Sequence, residues 1–541
     1  MNKNYVEYSD FGAKGDGVTN DFFAIKAAHE YANAHGLPVK AGEGKTFLIT
    51  ETEINGIAEA AVIKTNTDFC GSTVIVDDTD ISCIGESVTA ASRGKVPIFN
   101  IASNFQPEKI AGKYIARINA EGGILRDGAK KLSLGIDYPA MLIISSADER
   151  VYIRYGGNED AGVTKEELVI VDGDGNIDAS TPLLFDYKKV TDITAYRIDE
   201  PTLTVENLRF VTRASRVNIV DKYAEIRRAI MITRPNTHLK NLKREVVNEI
   251  FKGEEQNGIP FIGHSYYGGI NIANTHNILL ENVEFQARAY YLQGTYDLIA
   301  EMVNALTLKG CRQNNFFAND DERYPLKPAF GKWWGVAGTN YCKNLIYDSC
   351  KLTRYDAHRG VVNGAIKNCE VSSIRLIGGG DMLIENTKIY ANCYSTLQLR
   401  EDFGATFRGT LTVKDCEFID VLGTHTSFMV AQSANWWYGY PTYFPNVIID
   451  NLKVSSKIKE LPILWEFPME TNKYGYFYRS VRDVGILERG AMCADGGKNV
   501  NPYAPPSFIK VLNNENNGYD VTVPSVPFFK NTELLGVKIV D

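Results

Sequence analysis

A six-residue unit that recurs along the chain is the feature that most constrains its fold. Each copy reads apolar, polar, Asn or Asp, small or apolar, polar, apolar, and the copies occupy 205–210, 280–285, 366–371, 384–389, 413–418 and 449–454. Weaker copies centre on Asn241, Gly310 and Ser349. Asn368 and Asn386 are 18 residues apart, and Asn241 and Asn282 are 41 apart. A repeat at this spacing predicts a stack of similar structural units.

A unit of three short strands needs about 20 residues, so the longer intervals must contain loops. Asn, Asp and Gly tolerate the left-handed backbone of a tight corner. Stacked Asn side chains also form hydrogen bonds along the axis of a stacked β structure. The pattern therefore predicts a corner at which one residue per unit is stacked: Asn207, Asn282, Asn368, Asn386, Asp415 and Asn451.

The residue after each stacked position is predicted to point into the coil, because side chains alternate along a strand. These residues are Leu208, Val283, Cys369, Thr387, Cys416 and Leu452. Cys311 and Cys350 fall at equivalent positions. The alternative, a metal site, is disfavoured because its ligands would be spread along one ladder instead of clustered. We therefore expect buried free thiols, no metal and no cofactor.

The segment 10–21 reads DFGAKGDGVTND, with glycines that favour tight turns. Thr19 or Asn20 is predicted to cap a helix that Gly36 ends. This segment resembles the N-terminal signature of the pectate-lyase-like superfamily of right-handed parallel β-helices, in which the helix covers the open end of the coil. The resemblance and the repeat together predict an all-β fold: a right-handed single-stranded parallel β-helix with an N-terminal capping helix and a β-rich insertion.

The repeat divides the chain into four parts. Residues 1–85 are expected to form the capping helix and first coils, and 201–456 the main parallel β-helix. Residues 86–200 lack the repeat and are predicted to be a β-rich insertion. Residues 457–541 also lack it and are predicted to cap the C-terminal end.

Composition excludes several classes of partner. The 541 residues carry a net charge of −8, which argues against a nucleic-acid binder because phosphate contacts need a basic surface. No apolar run is long enough to cross a membrane. The first ten residues are polar, so no secretion signal is predicted. Nine cysteines, an odd number, argue against a disulfide framework.

The chain departs from the motifs of two families in this superfamily. Polygalacturonase-type hydrolases carry an Asp-Asp pair, Gly-His-Gly and Arg-Ile-Lys, whereas the nearest stretch here is 379–382, GGDM. The calcium cluster of pectate lyases is not visible either. The superfamily can therefore be named from the sequence, and the family cannot.

The resemblance implies that a substrate groove follows the strands after each corner. Glycoside hydrolysis needs two carboxyl groups, and Asp356 and Asp402 are the predicted pair, with His358 and Arg400 tuning them. Two rung steps of about 4.8 Å would separate their backbones by about 9.6 Å, which predicts an inverting reaction. Residues predicted to bind substrate are Tyr291, Tyr296, Asp297, Trp333, Trp334, Arg359, Arg375, Asp381 and Glu401.

These residues predict an enzyme that cleaves glycosidic bonds of a polysaccharide or oligosaccharide, with hydrolysis preferred. One alternative is a polysaccharide lyase with His358 or Tyr296 as the base and an arginine that neutralises a uronate. Another is a phage tailspike or a carbohydrate-binding structural protein, for which a homotrimer is expected. The sugar and the linkage are not encoded in any recognisable motif.

Overall fold

The computed structural model describes the greater part of the chain. The described residues are 4–81, 93–120, 125, 127–151, 164–216, 226–248, 255–256, 259–260, 269–285, 296–313, 337–391, 397–399, 406–420, 427–431, 442–455, 459–465, 469–471, 477–479 and 503–541.

The fold is a right-handed parallel β-helix, as the repeat and the signature predicted. Its rungs stack through parallel pairing of thirty strands among the described residues. In chain order these are Val6–Glu7, Asp16–Asn20, Val39–Lys40, Thr46–Ile49, Ala61–Ile63, Thr67–Asp68, Thr73–Asp77, Phe99–Ile101, Leu203–Arg213, Ile230–Ile232, Thr237–Val247, Ile270–Phe285, Leu298–Lys309, Arg312–Gln313, Ala337–Asn340, Cys342–Asp348, Lys351–Asp356, Val361–Lys367, Glu370–Arg375, Gly378–Glu385, Lys388–Ala391, Leu397–Leu399, Phe407–Lys414, Glu417–Asp420, Met429–Ala431, Asn446–Asp450, Lys453–Ser455, Leu464–Trp465, Phe508–Leu512 and Glu533–Leu535.

The stacked strands form three faces, which we call sheets 1, 2 and 3. Sheet 1 comprises the strands that precede the Asn corner, including 342–348 and 361–367. Sheet 2 comprises those that follow it, including 370–371 and 388–389. Sheet 3 closes each rung and contains 230–232, 270–272, 298–301, 337–340, 354–356, 373–375, 397–399 and 429–431.

The predicted Asn corner between sheets 1 and 2 is confirmed. All six predicted residues adopt a left-handed backbone, with φ between 46° and 60°. Their side chains form hydrogen bonds from rung to rung: Asn386 Nδ2 donates to Asn368 Oδ1 at 2.8 Å, and Asn451 Nδ2 donates to Asp415 Oδ1 at 2.7 Å. The Asn ladder thus satisfies the amide groups at a corner where regular strand pairing is interrupted.

The interior is apolar, and the predicted inward residues are buried. Cys311, Cys350, Cys369 and Cys416 lie among them as free thiols. Burial raises the pKa of Cys416 to about 11. The prediction of buried thiols stacked inside the coil is therefore confirmed.

A helix, α1 (Phe22–His35), covers the N-terminal end. It begins one or two residues later than predicted, because Asp21 occupies the N-cap position. The Asp21 carboxylate accepts hydrogen bonds from the backbone N–H groups of Lys14 and Gly15, at 2.6 and 3.0 Å. Gly15 has φ +59°, and a Cβ there would lie 3.0 Å from Lys45. The signature segment is therefore a loop closed by one carboxylate.

Between two rung strands, Phe99–Ile101 and Leu203–Arg213, the chain forms a separate antiparallel sheet, the inserted sheet. Its strands, in spatial order, are Glu108–Lys109, Asp192–Arg197, Ala140–Arg150 and Thr164–Val171, and α2 (Gly112–Ala120) accompanies them. Phe99–Ile101 belongs to the coil, although it falls within the 86–200 segment predicted as insertion.

The remaining elements are short. The 3₁₀ helices are Tyr8–Phe11 and Pro527–Phe529, and the small sheets consist of Glu53–Ile54 with Ile57–Ala58, Glu255–Gln256 with Ile259–Pro260, Thr442–Tyr443 with Tyr503–Ala504, Met469–Thr471 with Phe477–Arg479, and Glu460–Pro462 with Asp520–Pro524 and Lys538–Val540. No helix among the described residues is long and apolar enough to span a bilayer.

Asn386→Val should destabilise the protein by about 1–3 kcal/mol, because a β-branched residue is strained in the left-handed region and the ladder bond is lost. Asn386→Gly keeps the backbone conformation and loses only the bond, so its cost should be smaller. Urea unfolding measures both variants, and equal losses would contradict the role of backbone strain.

Cys416 should react slowly with a thiol reagent in the native protein and rapidly after unfolding, because its thiol is buried. Half-buried Cys70 provides an internal comparison. Labelled sites are identified by peptide mass spectrometry. Native labelling of Cys416 as fast as that of Cys70 would show that the inward placement is incorrect.

Candidate functional site

Several predicted site residues lie together on the outer face of sheet 3. Tyr355 and Ala357 point into the core, so the alternating residues Arg354, Asp356 and His358 point outward. Arg375 is in register with Asp356 on the next rung, and Gln398 is in register with Arg375. This outward row brings together residues that are far apart in sequence.

Asp356 is fully buried within this row. Its Oδ2 atom lies 2.8 Å from Arg354 Nη2 and accepts a hydrogen bond from the Tyr296 hydroxyl at 3.4 Å. Tyr296 and Asp356, which were predicted separately as site residues, are therefore in contact. A carboxylate enclosed by an arginine and a tyrosine is well suited to fix the geometry of the row.

Asp297 lies next to this cluster. Gln313 Nε2 donates to Asp297 Oδ2 at 3.3 Å, and Gln313 Oε1 accepts from the Thr353 hydroxyl at 2.7 Å. All three side chains are buried. They link the segment that enters sheet 3 at Asp297 to the strand that carries Asp356.

Other predicted residues are placed differently. Asp381 is exposed at the corner between sheets 3 and 1, where its N–H donates to Asn363 Oδ1. It therefore lies on another part of the coil from Asp356. The residue two rungs beyond Asp356 in register is Gln398, four residues before Asp402. The residues outside the described part of the chain are Tyr291, Trp333, Trp334, Arg400, Glu401 and Asp402.

His358 and Arg359 follow Asp356 in sequence and lie at the corner between sheet 3 and sheet 1. His358 Nδ1 lies 3.1 Å from Asn340 Oδ1. Asn340 is in register with Glu301 on the preceding rung. Arg359 lines a cavity beyond this corner, so the predicted cluster extends onto a second surface.

The inserted sheet packs on that same corner. Met141, Leu168 and Ile170 form an apolar cluster with Met302 of the coil. Glu167 pairs with Lys343 at 3.2 Å, with both side chains almost completely buried. Burial raises the pKa of Glu167 and lowers the pKa of Lys343. These contacts fix the inserted sheet against the rungs.

Both ends of the insertion are held by one buried carboxylate, Glu200. It accepts hydrogen bonds from the Ser103 hydroxyl at 2.6 Å and from the Asn104 N–H at 3.0 Å, and it pairs with buried Arg234 of the coil. Ser180 adds a further contact, because its carbonyl accepts from the side-chain amides of Asn344 and Asn363. The insertion is thus anchored at its base and along its side.

Between the inserted sheet and the coil lies a cavity of about 340 Å³. This volume is at the lower end of the range of ligand pockets, about 300–1,000 Å³. The described lining residues from the insertion are Asp127, Val151, Glu166, Glu167, Leu184, Phe185 and Asp186, and those from the coil are Tyr341, Cys342, Lys343, Arg359, Gly360, Val362, Ile377, Gly378, Thr406, Arg408 and Tyr443.

Glu166 is the carboxyl group of the cavity with the most informative environment. Glu166 lies on the same side of its strand as Leu168 and Ile170, because every second residue shares a side. Leu168 and Ile170 pack against Met302 of the coil, so Glu166 also faces the coil. Burial raises the pKa of Glu166, the negative charge of Glu301 raises it further, and the Arg359 guanidinium acts in the opposite direction. The pKa of Glu166 therefore depends on charges that come from the coil.

Arg408 pairs with Asp127 at 2.5 Å across the cavity. Its guanidinium lies 5.5 Å from the centre of the Tyr443 ring. This ion pair joins the coil to the insertion, and the neighbouring ring offers an aromatic surface of the kind that packs against sugars. Among the described residues, no group of three or more His, Cys, Asp or Glu side chains is placed to hold a metal ion.

Sequence reasoning identified Arg359 and did not identify Glu166, Glu301 or Arg408. Glu166 reaches the coil only because the insertion packs on it, which the repeat does not specify. One signal was present: Glu166 interrupts the apolar side of a strand that continues as Leu168 and Ile170.

No protein-family model and no curated protein matches the sequence. Among solved structures, the tailspike gp49 of Pseudomonas phage LKA1 is similar, at 11% identity and TM-score 0.43 over 86% of this chain and 82% of that one. The Gp54 tailspike of Acinetobacter baumannii bacteriophage AP22, solved with A. baumannii capsular saccharide, is 11% identical with a TM-score of 0.45. The match covers 98% of this chain and 79% of that one. The A-module of Azotobacter vinelandii mannuronan C-5 epimerase AlgE6 is 10% identical with a TM-score of 0.29, and the match covers 83% of this chain and 95% of that one. Similarities this low carry no information about function.

Glu166→Gln should stabilise the protein at neutral pH. A raised pKa means that the folded state holds the proton more tightly, so this stabilisation is complete below the unfolded pKa of about 4.3 and is lost as the pH rises through the folded pKa. The Glu166→Gln variant keeps this stabilisation at all pH values, because glutamine does not ionise. Thermal unfolding between about pH 4 and pH 8 should show a growing advantage for the variant.

Arg359→Met tests the same electrostatic arrangement. Removal of the guanidinium should raise the pKa of Glu166 further, so the loss of stability should extend to higher pH than in the wild type. Identical pH profiles for wild type, Glu166→Gln and Arg359→Met would disprove the coupling.

Proposed function

We propose that the protein cleaves glycosidic bonds of a polysaccharide or oligosaccharide, and that cleavage is hydrolytic. The observation that carries the proposal is the position of Glu166: a partly buried carboxyl group in a cavity that Arg359 also lines, with a pKa that burial raises and the charge of Glu301 raises further. A raised pKa favours the protonated form of a carboxyl group, which can donate its proton to a leaving group.

Glu166 is assigned the general acid, which protonates the glycosidic oxygen as the bond to the sugar breaks. Glu301 is assigned the second carboxylate, either as the base that activates water or as the nucleophile. Arg359 lines the same cavity as Glu166 and limits the rise in the pKa of Glu166. It is suited to keep the acid able to release its proton.

The outer face of sheet 3 is assigned the path of the sugar chain that leads to the cavity. Half-buried Arg375 and His358, on neighbouring rungs, offer hydrogen-bonding groups there. Asp356, enclosed by Arg354 and Tyr296, is suited to hold this row in place. Asp402 and Arg400 remain predicted partners, two rungs beyond Asp356.

Two alternatives lead to different observations. A lyase would use His358 or Tyr296 as the base and would release an unsaturated product, whereas hydrolysis adds water to the product. A tailspike or structural carbohydrate-binding protein would bind glycans without turnover. Product mass spectrometry after digestion of a glycan library separates these cases, and the mass of the native oligomer tests the expected homotrimer.

Once a substrate is found, Glu166→Gln should lower turnover by at least about a hundredfold, the scale of general acid catalysis. Glu301→Gln should have an effect of similar size. Asp174→Asn is a matched control, because Asp174 lies on an exposed turn of the insertion away from the cavity lining. Circular dichroism verifies that each variant is folded.

The same assay decides between the two carboxyl pairs. Asp356→Asn and Asp402→Asn test the pair predicted from sequence. Near-normal turnover in Glu166→Gln, with loss in both aspartate variants, would move the centre of cleavage to sheet 3. Retained anomeric configuration in the product NMR spectrum would exclude the inverting geometry predicted for Asp356 and Asp402.

A further inference from the structure

The charged groups that line the cavity are balanced, and this balance limits what the cavity can bind. Lys343 is paired with Glu167, and Arg408 with Asp127. Arg359 lies in the field of Glu166. Two of the three described basic side chains of the lining are therefore held in ion pairs with carboxylates.

Further acidic groups lie close to these pairs. Asp186 is part of the lining, and its charge raises the pKa of Arg408, in addition to the larger effect of Asp127. The negative charge of Glu301 acts on Glu166 and raises its pKa. The electric field in the cavity therefore disfavours a negatively charged ligand, because a like charge close to buried carboxylates is destabilising.

The floor of the cavity is apolar. Val151 of the insertion packs against Ile377 of the coil, and Phe185 and Tyr341 pack against both. Val362 and Leu184 extend this surface. A hydroxyl group of an unsubstituted pyranose finds no hydrogen-bond partner on such an apolar floor. A methyl group placed there instead gains about 0.8 kcal/mol by burial.

We infer that the cavity binds an uncharged sugar that carries a methyl group, as an acetamido sugar or a 6-deoxy sugar does, and that it excludes uronates. The inference rests on the proposed function in taking the cavity as the place where the cleaved sugar binds. It deepens that function because it opposes lyase chemistry, which acts on uronates.

Binding of single sugars tests the inference without dependence on linkage. The probes are N-acetylglucosamine, rhamnose, glucose and glucuronate, titrated into the wild-type protein and followed by ligand-observed NMR. At least one methyl-bearing sugar should bind about fourfold more tightly than glucose, the effect of one buried methyl group. Glucuronate should bind more weakly than glucose.

Asp127→Asn is the informative variant, because it removes the carboxylate that neutralises Arg408. This variant should bind glucuronate about tenfold more tightly than the wild type, the scale of one charge-assisted hydrogen bond, and added salt should reduce the gain. Asp174→Asn serves again as the matched control and should leave the order of affinities unchanged.

The outcomes separate the inference from the proposed function. Tightest binding of glucuronate by the wild type, or no preference among the four sugars, would overturn the inference, and cleavage of other glycans would leave the proposed function standing. Preference for a methyl-bearing sugar together with undiminished turnover in Glu166→Gln would support the inference and refute the assigned acid.

Discussion

The structure depends on a single corner conformation that is repeated in every rung. At the Asn ladder the backbone must turn in the left-handed region, which costs most residues of the sequence about 1–2 kcal/mol. Asn accepts this conformation and its amide bridges to the next rung, as in Asn386 and Asn368. The three sheets remain in register because this corner recurs.

The corner between sheets 3 and 1 has a different role. Side-chain amides also bridge neighbouring rungs here, with Asn363 Nδ2 donating to Asn344 Oδ1 at 3.3 Å. Both amides also donate to the carbonyl of Ser180 in the insertion. The inserted sheet thus covers one edge of the coil. Since sheet 3 ends at this edge, its outer face and the cavity form adjoining surfaces.

The parts of the fold that follow from local chemistry were predicted from the sequence. Positive φ at Asn207 and Asn282 and burial of Cys369 and Cys416 follow from a repeat that can be read directly. The helix start was misplaced because Asp21, which binds two backbone N–H groups of the preceding loop, was not considered as the N-cap.

The candidate site was predictable only in part. Residues on neighbouring rungs, such as Asp356 and Arg375, are brought together by the repeat period. Tyr296 was also expected at the groove and contacts Asp356. Glu166 is brought to the coil by the docking of the inserted sheet, which depends on buried pairs such as Glu167 with Lys343. No spacing in the sequence encodes a contact of that kind.

The clamp at Glu200 has an evolutionary consequence. The chain leaves the coil after Ile101 and returns at Leu203, and Glu200 holds the exit and the return together. A change in the length of the insertion between these points would leave the two rung strands that it joins in place. A change at Glu167 would reach further, because it would leave Lys343 of the coil buried without its carboxylate. Loops of the insertion away from the coil are therefore free to diverge, whereas the face that packs on the coil must change together with it.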